Sequence, residues 1–340
     1  MPSSSPDDLA PLLAGLLAQA GVENHQDLVR KMIRSALAMG AGDNTRGDLK
    51  IVATALDELE RSYAAFAPYR HRRKCSIFGS ARTGPDTAAY RDAKDVGQAL
   101  AAAGWMVITG GGPGVMTAGI EGAGPENSFG ITIRLPFETQ DGGGLLPPDR
   151  LVGFRYFFTR KLTFMKEASA YVVMPGGFGT LDETFELLTL VQTGKEYPCP
   201  IVLFEPDGDT YWRHWREFVE RELVPPGLVV AQDLDLVHIT SSAQEAVDYI
   251  DGFYRVYHSL RYVDGRPVLR LSEDVDDATI ARLNAQFSDI FTDMKLSRTM
   301  CSQQERRDHD NVDLPRLTMG FNNRSFARLH ELVCSLSSSS

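Results

Sequence analysis

Two strand–turn–helix junctions built around glycines constrain this chain more than any other feature. Gly110-Gly111-Gly112-Pro113-Gly114-Val115-Met116 follows the apolar run WMVIT and opens a helical pattern. Pro175-Gly176-Gly177-Phe178-Gly179-Thr180-Leu181-Asp182-Glu183 follows AYVVM and does the same. Glycines at such a junction permit a tight turn that bares backbone N–H groups, and the following helix adds its positive end. That is a recipe for holding a phosphate. The first turn has neither the Walker spacing with its lysine nor a full GxGxxG, since position 115 is Val, so ATPase and ordinary dinucleotide readings lose support.

Around these junctions, between residues 71 and 256, short β-rich runs (KCSIFGS, WMVITGGG, SFGITIRL, AYVVMPG, PIVLFEP) alternate with helical patterns. The rhythm predicts an α/β fold, a Rossmann-like, doubly wound, mostly parallel sheet with right-handed crossovers. In such sheets ligands sit at the carboxyl ends of the strands, where both glycine turns fall. Residues 1–70 read as a helical arm, with Leu9, Leu12, Leu13, Leu16 and Leu17 on one face and Leu28, Met32, Ile33 and Leu37 on another. An arm of this kind needs a surface to bury against, on the core or on a second subunit. Residues 257–336 read as a small α+β domain of ββαββα order, with a hairpin at Asp264–Gly265 and a helix starting near Asp276 or Asp277. A regulatory or assembly role would suit this domain. The closing SLSSSS reads as a frayed tail.

Composition narrows the partners. A net charge of −10 argues against a nucleic-acid surface but not against a small anion held by local N–H groups. The start lacks a basic n-region, and no stretch reaches the length of a membrane span, so neither a signal peptide nor a membrane partner is expected. Cys75, Cys199, Cys301 and Cys334 are scattered, which fits a reducing, cytoplasmic setting. The seven histidines show no paired spacing, and Glu273, Asp274, Asp276 and Asp277 read as a solvated loop and helix start, so no metal is expected.

Three side chains carry candidate chemistry. Thr180 can cap its helix and offer a hydroxyl to an anion; Glu183, three residues on, has the spacing of a capping box, or else lies beside a bound sugar. Asp182 should point elsewhere, since neighbours on a helix diverge. In FRYFFTRKLTFMKEAS, Arg160 and Lys161 fit a snorkelling surface face, or Arg160 turns inward with its donor fork.

GGGPGVM, the downstream Arg160-Lys161 and PGGFGTLDE together resemble the Lonely Guy family of nucleotide phosphoribohydrolases, long labelled possible lysine decarboxylases. The resemblance spans roughly Lys74 to Ile250, and the extended layout is similar to a longer bacterial variety. It implies hydrolysis of the N-glycosidic bond of a nucleoside 5′-monophosphate, such as a cytokinin riboside monophosphate or AMP, by a homodimer or higher homo-oligomer that needs no cofactor. It implies Arg160 and Glu183 as the catalytic pair, with Gly111, Gly112, Gly114, Gly176, Gly177, Gly179 and Thr180 on the phosphate and Ser80 and Arg82 at the nucleotide. One place departs from the family: Phe164 stands where Met is frequent, and Met165 follows. Lys161, Lys166 and Lys195 lack the context of a Schiff-base lysine, so decarboxylation is not expected. The competing expectation is a non-catalytic carrier of the same fold, as in the similar molybdenum-cofactor carrier proteins.

Breaking an N-glycosidic bond passes through a sugar with oxocarbenium character, which Glu183 would stabilise through the ribose hydroxyls, or else it would activate water. Arg160 would hold the phosphate–ribose unit or polarise the departing base.

Overall fold

The computed structural model describes residues 9–134 and 144–337. The last residues of the serine tail therefore lie outside the described residues, as does Leu135 at the end of the predicted run SFGITIRL. The chain divides into two compact units, one up to Glu58 and one from Leu59 onward.

The first unit holds helices α1 (Leu9–Gln19), α2 (Gln26–Ala41) and most of α3 (Arg46–Phe66). The start of α3 is fixed locally: the Asp48 carboxylate accepts from the Thr45 N–H at 2.9 Å and from its hydroxyl at 2.7 Å, and Thr45 Oγ1 accepts from the Asp48 N–H at 3.2 Å. Reciprocal bonds of this kind satisfy donors that a helix start leaves orphaned. Leu13 and Leu17 are buried, whereas Leu12, Leu16, Leu28, Met32, Leu37, Val52 and Leu56 are exposed.

The second unit begins with the end of α3 and continues β1 (Lys74–Phe78), α4 (Ala88–Ala102), β2 (Met106–Thr109), α5 (Val115–Ala123), β3 (Ser128–Ile133), β4 (Leu151–Phe154), α6 (Phe157–Glu167), β5 (Ala170–Val173), α7 (Phe178–Gln192), β6 (Ile201–Phe204), α8 (Tyr211–Phe218), β7 (Val237–Thr240) and α9 (Ala243–Tyr254). All seven strands pair in parallel, in the order β4-β3-β2-β1-β5-β6-β7. The chain winds one way from β1 to β4 and the other way from β5 to β7, so the strand order reverses between β1 and β5. β1, β2, β3, β5 and β6 are buried along their whole length, as strands covered on both faces must be. Two apolar layers cover the sheet. One joins Phe66, Phe78, Phe129, Phe164, Tyr171 and Trp212; the other joins Ile77, Val96, Leu100, Val107, Val172 and Ile250.

The chain then forms β8 (Tyr257–Val263), β9 (Arg266–Leu271), α10 (Asp277–Gln286), β10 (Ser297–Arg298), α11 (Gln303–Asp308), β11 (Arg316–Thr318) and α12 (Phe326–Leu336). The hairpin turns at Asp264 and Gly265, both at positive φ, and Asp276 caps α10. A four-stranded antiparallel sheet of order β10-β11-β9-β8 results. The expected ββαββα order gains one element, α11, between the last two strands. Its start is a capping box of Ser302 and Glu305. No described helix is long and apolar enough to cross a membrane.

Candidate active site

Three turns meet at the carboxyl edge where the strand order reverses, following β2, β1 and β5, which lie side by side in the sheet. The turn after β1 is stitched to both glycine turns: the Ser80 N–H donates to Pro175 O at 3.3 Å, and Ser80 O accepts from the Val115 N–H at 3.1 Å. Gly114 sits at φ 71°, and a Cβ there would run into the Ser80 carbonyl oxygen. Only glycine combines that φ with so close a backbone approach. A Cβ at Gly176 would in turn collide with the Thr180 hydroxyl. Tyr211, from α8, donates its hydroxyl to Gly176 O at 2.7 Å and anchors the second turn from the other side.

Helix ends around this edge differ in how their first N–H groups are satisfied. Thr87 caps α4 and Ser242 caps α9 with side-chain oxygens, and the buried Glu205 carboxylate accepts from the Trp212 and Arg213 N–H groups at the start of α8. By contrast the N-cap positions of α5 and α7 are Gly114 and Gly177, which offer no side-chain cap; Tyr156, at the N-cap of α6, makes none either. The two glycine turns thus leave helix N-termini that no side chain caps, an arrangement suited to an anionic ligand.

Arg160 and Glu183 approach from α6 and α7. Arg160 turns inward: its Nε donates to Ile131 O at 2.9 Å, and a Cβ at Gly110 would lie 2.8 Å from its Nη2. Burial lowers its pKa, against the pull of the Glu183 charge. The Glu183 side chain is 8% exposed, and its Oε2 has no hydrogen-bond partner among the described residues. A buried carboxylate in that state is costly. Burial pushes the Glu183 carboxyl above its usual range; Lys161 and Arg160 pull it back in part, while Glu186 and Asp182 push it further.

The capping-box reading of Thr180 and Glu183 does not hold. Helix α7 starts at Phe178 with extended Gly177 as its N-cap, so Thr180 already lies inside the first turn. Nothing then draws the Glu183 side chain back to a cap. Asp182 points outward as expected, its side chain 59% exposed against 8% for Glu183, and Lys161 spans from α6 to α7 to reach both. Its Nζ lies 2.8 Å from Asp182 Oδ2, 2.6 Å from Glu186 Oε2 and 3.6 Å from Glu183 Oε2.

Of the other expected site residues, Gly112, Gly114, Gly176, Gly177, Gly179 and Thr180 line the two turns. The Gly111 N–H is already occupied, donating to Thr109 Oγ1 at 3.1 Å. Ser80 joins through its backbone, while its Oγ accepts from the Arg82 N–H at 3.1 Å. The Arg82 side chain is exposed and has no partner among the described residues. Sequence reasoning missed Tyr211 and the reach of Lys161; no local signal marks either, because each meets its partners only through the order of the strands.

Fold and site define the class first: a doubly wound α/β protein with two glycine turns at its switch point and an arginine and a buried glutamate beside them. The family model described as possible lysine decarboxylase matches residues 106–250. A probable cytokinin riboside 5′-monophosphate phosphoribohydrolase of Oryza sativa subsp. japonica is 27% identical over 194 residues, 56% of this chain and 87% of that protein. The cytokinin riboside 5′-monophosphate phosphoribohydrolase of Mycobacterium tuberculosis is 30% identical over 128 residues, 34% of this chain and 62% of the relative. The solved molybdenum cofactor binding protein of Rippkaea orientalis aligns at 21% identity and TM-score 0.37, covering 53% of this chain and 96% of that one. Over residues 106–250 the chain is similar to the possible lysine decarboxylase family, and the relatives it matches include cytokinin riboside 5′-monophosphate phosphoribohydrolases.

Proposed function

We propose that this chain hydrolyses the N-glycosidic bond of a nucleoside 5′-monophosphate, releasing the free base and ribose 5-phosphate. One observation carries the reading: two helix N-termini without side-chain caps converge at the switch point, beside the buried Glu183 carboxylate, whose Oε2 has no hydrogen-bond partner among the described residues. The backbone N–H groups of Gly112, Gly114, Gly177 and Gly179 and the Thr180 hydroxyl hold the 5′-phosphate. Glu183, ionised, faces the ribose, where it stabilises the developing oxocarbenium ion or takes a proton from water. Arg160, fixed on the Ile131 carbonyl, supplies a cation beside the first turn. Base help from a carboxylate is worth about 10²–10⁴-fold, and an enzyme needs about 8 kcal/mol or more. The remainder comes from phosphate binding energy spent on orienting the sugar.

The test is incubation with a panel of nucleoside monophosphates, cytokinin riboside monophosphate and AMP included, with chromatography of free base and ribose 5-phosphate. At least one nucleotide is expected to be cleaved. The matching nucleoside, lacking the phosphate, should react at least about 10²-fold more slowly in kcat/KM, and Glu183→Gln should bind nucleotide without turnover. Nucleotide binding with no base released from any member would instead support the non-catalytic carrier.

A further inference from the structure

We infer that Lys161 is a positioning residue for Glu183, holding that carboxylate ionised and aimed from the neighbouring helix without touching the substrate; this rests on the functional reading above. Three carboxylates crowd one face of α7: Glu186 lies three residues after Glu183 and four after Asp182, spacings that bring helix side chains together. Like charges at these spacings repel, and the most buried of the three, Glu183, is the one most easily forced to take a proton. Lys161 answers all three from α6. Its ammonium is clamped between Asp182, an ion pair at 2.8 Å, and Glu186, a hydrogen bond at 2.6 Å, and the clamp sets it 3.6 Å from Glu183 Oε2, within Coulomb range.

The arrangement has a logic that a simple ion pair lacks. Held by the two outer carboxylates, the ammonium gives its charge to Glu183 from the side of Oε2, the oxygen buried inside the protein, and leaves the rest of the carboxylate to face a sugar or a water. The Lys161 side chain is 14% exposed, so water screens this charge little, whereas Asp182 and Glu186 reach further into solvent. Burial works against the ammonium, but the hydrogen bonds to Asp182 and Glu186 and the charge of Glu183 hold it above the usual lysine range. It therefore stays charged through neutral pH. Arg160, also on α6, is the second cation acting on Glu183 but is committed to the Ile131 carbonyl, so it cannot take over the place of Lys161.

The experiment compares Lys161→Met and Lys161→Arg with the unsubstituted protein by two readouts. The first is the pH profile of kcat/KM on the best nucleotide. Between about pH 8 and about pH 6, Lys161→Met should lose about tenfold more activity than the unsubstituted enzyme, with KM little changed, and Lys161→Arg should restore most of the difference. The second is infrared titration of the buried carboxylic acid band of the unliganded protein, assigned by its disappearance in Glu183→Gln; its midpoint should move to higher pH in Lys161→Met. This readout needs no turnover, so an inactive wild type would sink the functional reading while still testing the electrostatic role of Lys161. If Lys161→Met is too unstable to titrate, Lys161→Gln serves in its place. An unmoved Glu183 band, or a uniform loss of activity at every pH, overturns the inference.

Discussion

Glu183 is placed where a stabilising residue would not be. Its burial raises the carboxyl pKa, so above the ordinary carboxylate range the unfolded chain releases this proton more readily than the fold does. Its contribution to stability is therefore present at low pH and lost as pH rises through the raised folded value. Glutamine carries no charge to bury. Glu183→Gln should melt at or above the unsubstituted protein at neutral pH, by about 1–3 °C, with the gap closing as pH falls toward about 4. Thermal scans across that range check it, and a lower Tm at neutral pH would contradict it. Stability given up at a carboxylate is what a catalytic site exacts and what a cap would not.

The helices show what a sequence reveals about such a site and what it withholds. Both glycine turns were legible, since a strand pattern, glycines and a helix pattern follow one another within a dozen residues. The start of α7 was not: Thr180-x-x-Glu183 imitates a capping box, and only the backbone of Gly177 shows that the helix has already begun. Strands β4 and β7, four residues each, escaped notice because LVGF and VHIT are too short to display a period. Helix α11 escaped too, although Ser302 and Glu305 spell its capping box, because QQERRD has no apolar stripe to mark it. Contacts between elements were the least legible, and Tyr211 is the example. Its hydroxyl bond to Gly176 O ties α8 to the second turn across 35 residues of chain. Tyr211→Phe should raise KM for the nucleotide about 2–10-fold and change kcat less, since one neutral hydrogen bond that shapes the turn is lost. Steady-state kinetics distinguish this from a change confined to kcat, which would deny the tether a part in binding.

At the largest scale, the sheet explains the site and the small antiparallel domain supports it. The reversal between β1 and β5 puts the two glycine turns on β2 and β5, the strands that flank β1, and α12 braces the far end of α7. A Cβ at Gly194 would strike the Phe326 ring, and the buried His330 contacts the Cys199 carbonyl at 3.1 Å. Burial keeps that imidazole neutral, with its pKa pulled down to about 4. The domain itself turns on a buried charge cluster. Glu305 Oε1 accepts from Arg270 at 2.8 and 3.0 Å and lies 3.4 Å from Arg316 Nε, while Oε2 accepts from the Ser302 N–H at 2.9 Å. Burial alone would raise this carboxyl, but the Ser302 N–H, Arg270, the Ser302 hydroxyl and Arg316 outweigh it and hold the pKa at about 2. The sign is opposite to that at Glu183: the stabilisation is fully present above the ordinary glutamate value and drains away as pH falls toward 2. Glu305→Gln removes the charge that answers two buried guanidiniums, of which, among the described residues, Arg270 alone keeps a second carboxylate, Asp310 at 2.7 Å. Urea unfolding at about pH 7 should show a loss of roughly 3 kcal/mol, which shrinks by about pH 3 as the native glutamate begins to lose its advantage. A loss of equal size at both pH values would mean that the cluster acts through packing and hydrogen bonds, with its charge contributing little.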